Sequence, residues 1–149
     1  MSDDSPLMVV MDASLFLRVL LPDERTPSVS AMWDELLGAD TVVVAPHLFT
    51  WECINGILRA LRQRRVDVDT AEELLGDLEA APVEPLAIEH KAAHAWRRFM
   101  IPLGMPAVYD AAYLALAAEI GCELWTADRR LYRMVGEALP WVRAVGFEE

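Results

Sequence analysis

Lysine is almost missing from this chain. Twelve of its thirteen basic residues are Arg, Lys91 is the single Lys, and 24 acids leave a net charge of −11. Proteins that coat DNA or RNA without specificity bind through an excess of Lys and Arg, so that class is excluded. An enzyme acting on nucleic acid is not, because metal sites are built from carboxylates and bound cations cancel part of their charge. Cysteine is scarce too. Cys53 and Cys122 are too few to staple 149 residues and read as reduced, buried residues of a cytosolic protein. The seven glycines are scattered singly, which removes the Gly-rich phosphate loop. There is no Gly-x-Ser-x-Gly elbow for a serine hydrolase. No apolar run is long enough to cross a bilayer. The acidic start, Met1-Ser2-Asp3-Asp4-Ser5-Pro6, is unlike the basic opening of a signal peptide. The preference for Arg reflects either a GC-rich coding bias or a use for bidentate phosphate contacts.

What is present is a core. Apolar residues make up 54% of the chain, enough for one domain over residues 1–149 with no linker or repeat. Short apolar runs at Leu7–Met11, Thr41–Ala45, Val83–Leu86, Glu123–Thr126 and Val142–Val145 read as buried strands. Between them the pattern predicts helices. They cover Ser14–Leu20, Pro27–Leu37, Leu48–Arg64, a segment from Asp69 to Glu79, Ile88–Met100, Val108–Ile120 and Asp128–Ala138. Asp69-Thr70-Ala71-Glu72 resembles a capping box, and Gly121 stops the helix before it. Strands alternating with helices mean an α/β fold with a central parallel sheet flanked by helices. In such sheets, sites form at the C-terminal ends of strands where strand order reverses.

Two acids fall where that rule points. Asp12 ends the first strand, and Asp128 follows Glu123–Thr126. Glu52 and Asp110 are embedded in apolar helix starts, Leu48-Phe49-Thr50-Trp51-Glu52-Cys53 and Val108-Tyr109-Asp110-Ala111. A charge among apolar neighbours is costly to bury unless it is paired or binds a metal. The plain structural reading of each acid alone is a helix-start residue satisfying the dipole. That reading weakens when four such acids converge on one sheet edge. Four carboxylates suit Mg²⁺ or Mn²⁺, hard ions that prefer oxygen. Crowded carboxylates also repel, so some should have raised pKa values.

Four segments resemble the PIN domain, and within it the VapC-type ribonuclease toxins. They are Val10-Met11-Asp12-Ala13-Ser14, Glu52-x-x-Asn55-x-x-Leu58-x-x-Leu61, Tyr109-Asp110-Ala111-Ala112-Tyr113-Leu114-Ala115-Leu116-Ala117 and Leu124-Trp125-Thr126-Ala127-Asp128-Arg129-Arg130-Leu131. The resemblance implies a metal-dependent endoribonuclease with Asp12, Glu52, Asp110 and Asp128 as its acidic quartet. Ser14, Asn55 and Thr126 fall where the family places polar residues that orient the ligands. It also implies a small antitoxin that blocks the acidic pocket, and a homodimer. Arg59 and Arg62 in the Arg59–Arg65 cluster, and Arg129-Arg130, are candidates for the RNA backbone; otherwise they are solvated helix ends.

Other readings fit less well. His90 and His94 have zinc-compatible spacing, but the protease motif needs Glu where Lys91 stands. His47 reads as a possible helix cap. Cys53 reads as a buried apolar residue rather than a nucleophile. Of the five Trp, Trp51 and Trp125 lie nearest the acids in sequence and are the two to test for base stacking. A receiver domain lacks a suitably placed Lys, and a haloacid-dehalogenase-type phosphatase would need Asp where Ser14 stands. A PIN-like module that only binds a partner is the remaining rival.

Overall fold

The computed structural model describes residues 7–147. The acidic start Met1–Pro6 and the Glu148-Glu149 pair lie outside them. The apolar runs form β1 (Met8–Met11), β2 (Val42–Pro46), β3 (Val83–Leu86), β4 (Glu123–Thr126) and β5 (Val142–Ala144). They lie in the order β3-β2-β1-β4-β5, and every neighbouring pair is parallel. Val9, Val10 and Met11 of β1 and Val43, Val44 and Ala45 of β2 are all buried. Helices cover both faces of a parallel sheet, so its central strands are apolar throughout instead of alternating.

The covering helices are α1 (Ala13–Leu20), α2 (Pro27–Gly38), α3 (Leu48–Arg62), α4 (Val68–Ala80), α5 (Ala92–Ala95), α6 (Val108–Ile120) and α7 (Arg129–Val135). Thr26 caps α2 and Pro27 opens it, the position where a missing N–H costs nothing. Gly56 of α3 faces Leu17 of α1 so closely that a Cβ there would meet Leu17 Cδ1 at 2.4 Å. Beyond α3, Arg65 closes on the loop after α1, with Nε 2.7 Å from Asp23 Oδ2 and Nη2 2.8 Å from Glu24 Oε2.

Three expectations change. The cap of α4 is Asp67, whose carboxylate accepts from the Thr70 N–H at 2.7 Å, while Asp69 sits inside the first turn. The segment Ile88–Met100 is not one helix. It divides into a 3₁₀ turn (Glu89–Lys91), the short α5, and a π-helical turn (Trp96–Met100). The wider π turn seats Phe99 in the core, edge-on to Trp141 at 6.2 Å between ring centroids. The helix after Asp128 ends at Val135 rather than Ala138, with Gly136 as its C-cap donating to the Tyr132 carbonyl at 2.7 Å.

The chain leaves β1 toward β2 on one side and leaves β4 toward β5 on the other. Strand order therefore reverses between β1 and β4, and the crevice at their C-terminal ends is where this topology places ligands. Gly121, at φ +81°, turns the end of α6 directly into β4 and so fixes both elements that border this crevice. An L side chain is disfavoured in that conformation. Replacement Gly121→Ala should lower stability by about 1–2 kcal/mol, and Gly121→Asn by less. Urea denaturation midpoints at constant m-value measure the difference.

Candidate metal centre

Asp12 and Asp128 cap two helices, Asp110 lies in the first turn of a third, and Glu52 in the second turn of a fourth. Asp12 is the N-cap of α1 and is 4% exposed. Its Oδ1 accepts from the Leu15 N–H at 3.0 Å and the Ser14 hydroxyl at 2.7 Å. Its Oδ2 accepts from the Thr126 hydroxyl, which is itself fully buried. The network then crosses to the other side of the crevice. Thr126 Oγ1 accepts from the Asp128 N–H at 2.9 Å, and Ser14 Oγ accepts from the Ala127 N–H at 3.2 Å. Asp128 caps α7 by accepting from the Leu131 N–H at 3.1 Å. Both carboxylate oxygens of Asp12 are thus engaged, and the ends of β1 and β4 are fastened together through side chains.

Glu52 is half-buried on α3 and accepts from the Tyr113 hydroxyl at 2.5 Å. Asp110, in the first turn of α6, has a side chain 18% exposed and 3.8 Å from the Arg130 guanidinium. Burial pushes the Asp12 carboxyl up to about 7; the hydrogen bonds from Thr126, Ser14 and Leu15 oppose this, and the Asp128 charge adds to it. Burial also raises Glu52, against the pull of Tyr113 and with a push from Asp110. It raises Asp110 as well, reinforced by Asp128 and countered by Arg130. Glu52 thus feels the charge of Asp110, while Asp110 and Asp12 both feel that of Asp128. Cys53, buried next to Glu52, is raised by burial and by the charges of both Glu52 and Asp12. Such a thiol is inert as a nucleophile.

This donor set fits a hard divalent cation. The acids offer carboxylate oxygens and no thiolate. Among the described residues no three His, Cys, Asp or Glu side chains form a ready-made cage. Mg²⁺ seldom uses one: it is usually held by one or two carboxylates and completes its shell with water. A cation here would offset the cost of burying these carboxylates and the repulsion between them. A concavity of about 680 Å³ lies at the opposite end of β1 and β4, against Met8 and Glu123, and touches none of the four acids.

Ser14 and Thr126 both bond to Asp12. Asn55 is exposed on α3, and no hydrogen bond ties it to an acid among the described residues. Arg59 and Arg62 are exposed in the last turn of α3. Arg129 is drawn onto the chain's end, donating to the Phe147 carbonyl at 2.5 Å and lying 5.3 Å from that ring's centroid. Trp125 is covered by Arg143 at 4.5 Å and is not a free platform. His47 occupies the N-cap position of α3 but makes no capping bond. Tyr113 had no role assigned from the sequence. The available signal was a phenol one turn beyond Asp110 in an otherwise apolar helix, since a buried hydroxyl needs a partner.

A PIN domain model matches residues 9–137. Ribonuclease VapC3 of Mycobacterium tuberculosis is 32% identical over 143 residues, covering 95% of this chain and 94% of that protein. Ribonuclease VapC3 of Pyrobaculum aerophilum is 30% identical over 129 residues, covering 84% and 92%. VapBC2 from Rickettsia felis, solved bound to a DNA fragment from its promoter, superposes with a TM-score of 0.62 at 11% identity, covering 93% of this chain and 97% of that one. FitAcB from Neisseria gonorrhoeae superposes at 0.60 with 18% identity, covering 92% and 96%. At those identities the superpositions establish the fold.

Because folding raises the Asp12 carboxyl above its ordinary 3.8, its contribution to stability is complete below about pH 4 and is lost as pH rises through 7. The metal-free Asp12→Asn variant should therefore gain on the wild type across that window, by roughly 5 °C or more in Tm at pH 8. Thermal scans in EDTA from pH 4 to pH 8 test this; a difference independent of pH would contradict it.

Proposed function

The chain belongs to the PIN domain family, and we propose that it is a Mg²⁺- or Mn²⁺-dependent endoribonuclease, the toxin of a toxin–antitoxin pair, with Asp12, Glu52, Asp110 and Asp128 at its centre. The observation that carries this is the buried, fully hydrogen-bonded Asp12 at the crevice between β1 and β4, with both its oxygens held by Ser14, Leu15 and Thr126 and the Asp128 charge acting on it. Relatives named ribonuclease VapC, matching over most of their length, support the activity. A divalent cation, when bound, supplies Lewis-acid stabilisation of the scissile phosphate and lowers the pKa of water.

The protein's own groups prepare the reaction. Thr126 and Ser14 hold the Asp12 carboxylate in one orientation, so it need not reorganise when a cation arrives. Tyr113 does the same for Glu52. Asp110 and Asp128 face the same crevice, and Arg130, beside Asp110, is placed to meet a phosphate oxygen. Arg59, Arg62 and Arg129 are assigned to the RNA backbone. In hydrolysis the oxygen of water joins phosphorus, the phosphodiester P–O bond breaks, and the departing ribose oxygen takes up a proton.

An acidic cleft attracts a basic tail, so a small antitoxin inserting an Arg side chain would silence the site. The toxin–antitoxin assemblies VapBC2 and FitAcB share this fold and support that assignment. A homodimer in the cytoplasm completes the reading. No helix of the described residues is long and apolar enough to cross a membrane.

Total RNA and a synthetic single strand, incubated with Mg²⁺, Mn²⁺ or EDTA, should give discrete cuts that vanish with EDTA and in Asp12→Asn and Asp110→Asn. Thr126→Val should lower the rate by about 10–100-fold. No cleavage by folded, antitoxin-free protein would point to a module that only binds a partner. Expression alone should slow growth, with relief from co-expressed antitoxin or from Asp12→Asn.

A further inference from the structure

The segment that follows β5 is tied down at two points. Val145, Gly146 and Phe147 are half-buried, and arginines from two helices grip them. Arg18 Nη1 donates to the Gly146 carbonyl at 2.6 Å, and Arg129 Nη2 to the Phe147 carbonyl at 2.5 Å. The Phe147 ring lies edge-on to Tyr132, with 5.6 Å between centroids, and its centroid is 5.3 Å from the Arg129 guanidinium. Gly146 stands at φ +80°, and a Cβ there would meet Arg18 Nη1 at 3.2 Å and Val29 Cγ2 at 3.4 Å. The segment is a strap with two anchors.

The anchors come from α1 and α7, the two helices that Asp12 and Asp128 cap. Arg129 directly follows Asp128. Arg18 stands four residues after Ser14, on the same face of α1, and Ser14 bonds to Asp12 and to the Ala127 N–H. The strap is rooted at the crevice as well. The Val145 N–H donates at 2.9 Å to the carbonyl of Thr126, whose hydroxyl holds Asp12. Neither Arg18 nor Arg129 has a carboxylate partner among the described residues, whereas Arg65 and Arg130 have. Two guanidinium groups at the border of the crevice therefore donate to neutral carbonyls of the chain itself.

We propose that Val145–Phe147 is an autoinhibitory strap, which occupies Arg18 and Arg129 in the resting protein and is displaced when phosphates of the RNA take its place. The inference rests on the ribonuclease reading. It concerns the regulation of that site and adds Arg18 to the groups that meet the substrate. A phosphate oxygen carries a full opposing charge and suits both prongs of a guanidinium, so it is a better acceptor than a neutral carbonyl. A segment held by so few contacts opens at low free-energy cost. Its closed population still weakens binding, because apparent affinity scales with the fraction of molecules that are open. Loosening the strap should therefore tighten RNA binding and leave the acids untouched.

The test is steady-state cleavage of a defined single strand in Mg²⁺ by wild type, Phe147→Ala, Phe147→Tyr, Gly146→Ala and the double variant Arg18→Ala, Phe147→Ala. Phe147→Ala removes one anchor and should lower KM by about 3- to 10-fold, with kcat within about threefold. Phe147→Tyr keeps the ring and should keep the wild-type KM. Gly146→Ala strains the other anchor and should also lower KM. Adding Arg18→Ala to Phe147→Ala should raise KM again. It should also reduce the slope of log KM against log salt by about 0.7, the mark of one lost phosphate contact on a single strand. A merely structural strap would lower Tm and leave KM unchanged or raised. That KM result in either Phe147→Ala or Gly146→Ala, while wild type cuts, would overturn the proposal and leave the nuclease standing. So would a salt slope that Arg18→Ala does not change. Failure of wild type to cut any RNA would instead bring down the ribonuclease reading itself.

Discussion

A carboxylate taken almost entirely out of water, at the point where the first and fourth strands end together, is the constraint on which the rest of the structure turns. Asp12 can be buried there only because Thr126, Ser14 and the backbone of Leu15 satisfy both its oxygens. Removing water from a charge without such partners is costly. The same bonds join two segments separated by 114 residues in sequence, so the stitch across the sheet and the preparation of the acid are one set of interactions. Satisfying the hydrogen-bond capacity of Asp12 does not remove its electrostatic cost, which is why its proton is held so far up the pH scale.

The parallel sheet supplies the other three acids. Every strand runs the same way, so the helices that follow β1, β2 and β4 begin at one edge, and α6 begins there as well. Asp12, Glu52, Asp110 and Asp128 each stand at or near one of these beginnings. The positive ends of four helix dipoles therefore face the cluster and partly offset its charge. The raised proton affinity of Asp12, Glu52 and Asp110 comes first from burial, and a neighbouring acid adds to each. Tyr113 contributes from one turn further along the same helix as Asp110, reaching across to Glu52 on α3.

Much of this was legible in the chain. Strands β1 and β2 announce themselves as β-branched apolar runs, and α6 spans the residues its composition marks, up to Gly121. The acids were legible because they interrupt apolar surroundings or follow a strand. What failed depended on competition or on distance. Asp67 and Asp69 are both able to cap α4, and only the geometry of the turn from Arg65 chooses the first. The π turn at Trp96–Met100 follows from where Phe99 must go in the core, which no local pattern records. The Tyr113–Glu52 bond and the closing of Arg65 on Asp23 each join residues dozens of positions apart. The order of the strands is likewise a property of the whole chain.

The central position of β1 has a temporal side. Made before the other four, this strand gains one neighbour from β2 but waits for β4 to cover its other edge. Pairings this distant in sequence form slowly, because a long loop must close before any contact rewards it. Asp12 receives its Thr126 bond only once the 114 residues between them have been made. Until β4 has been made and has paired, a growing chain therefore carries Asp12 without the bonds that span the sheet.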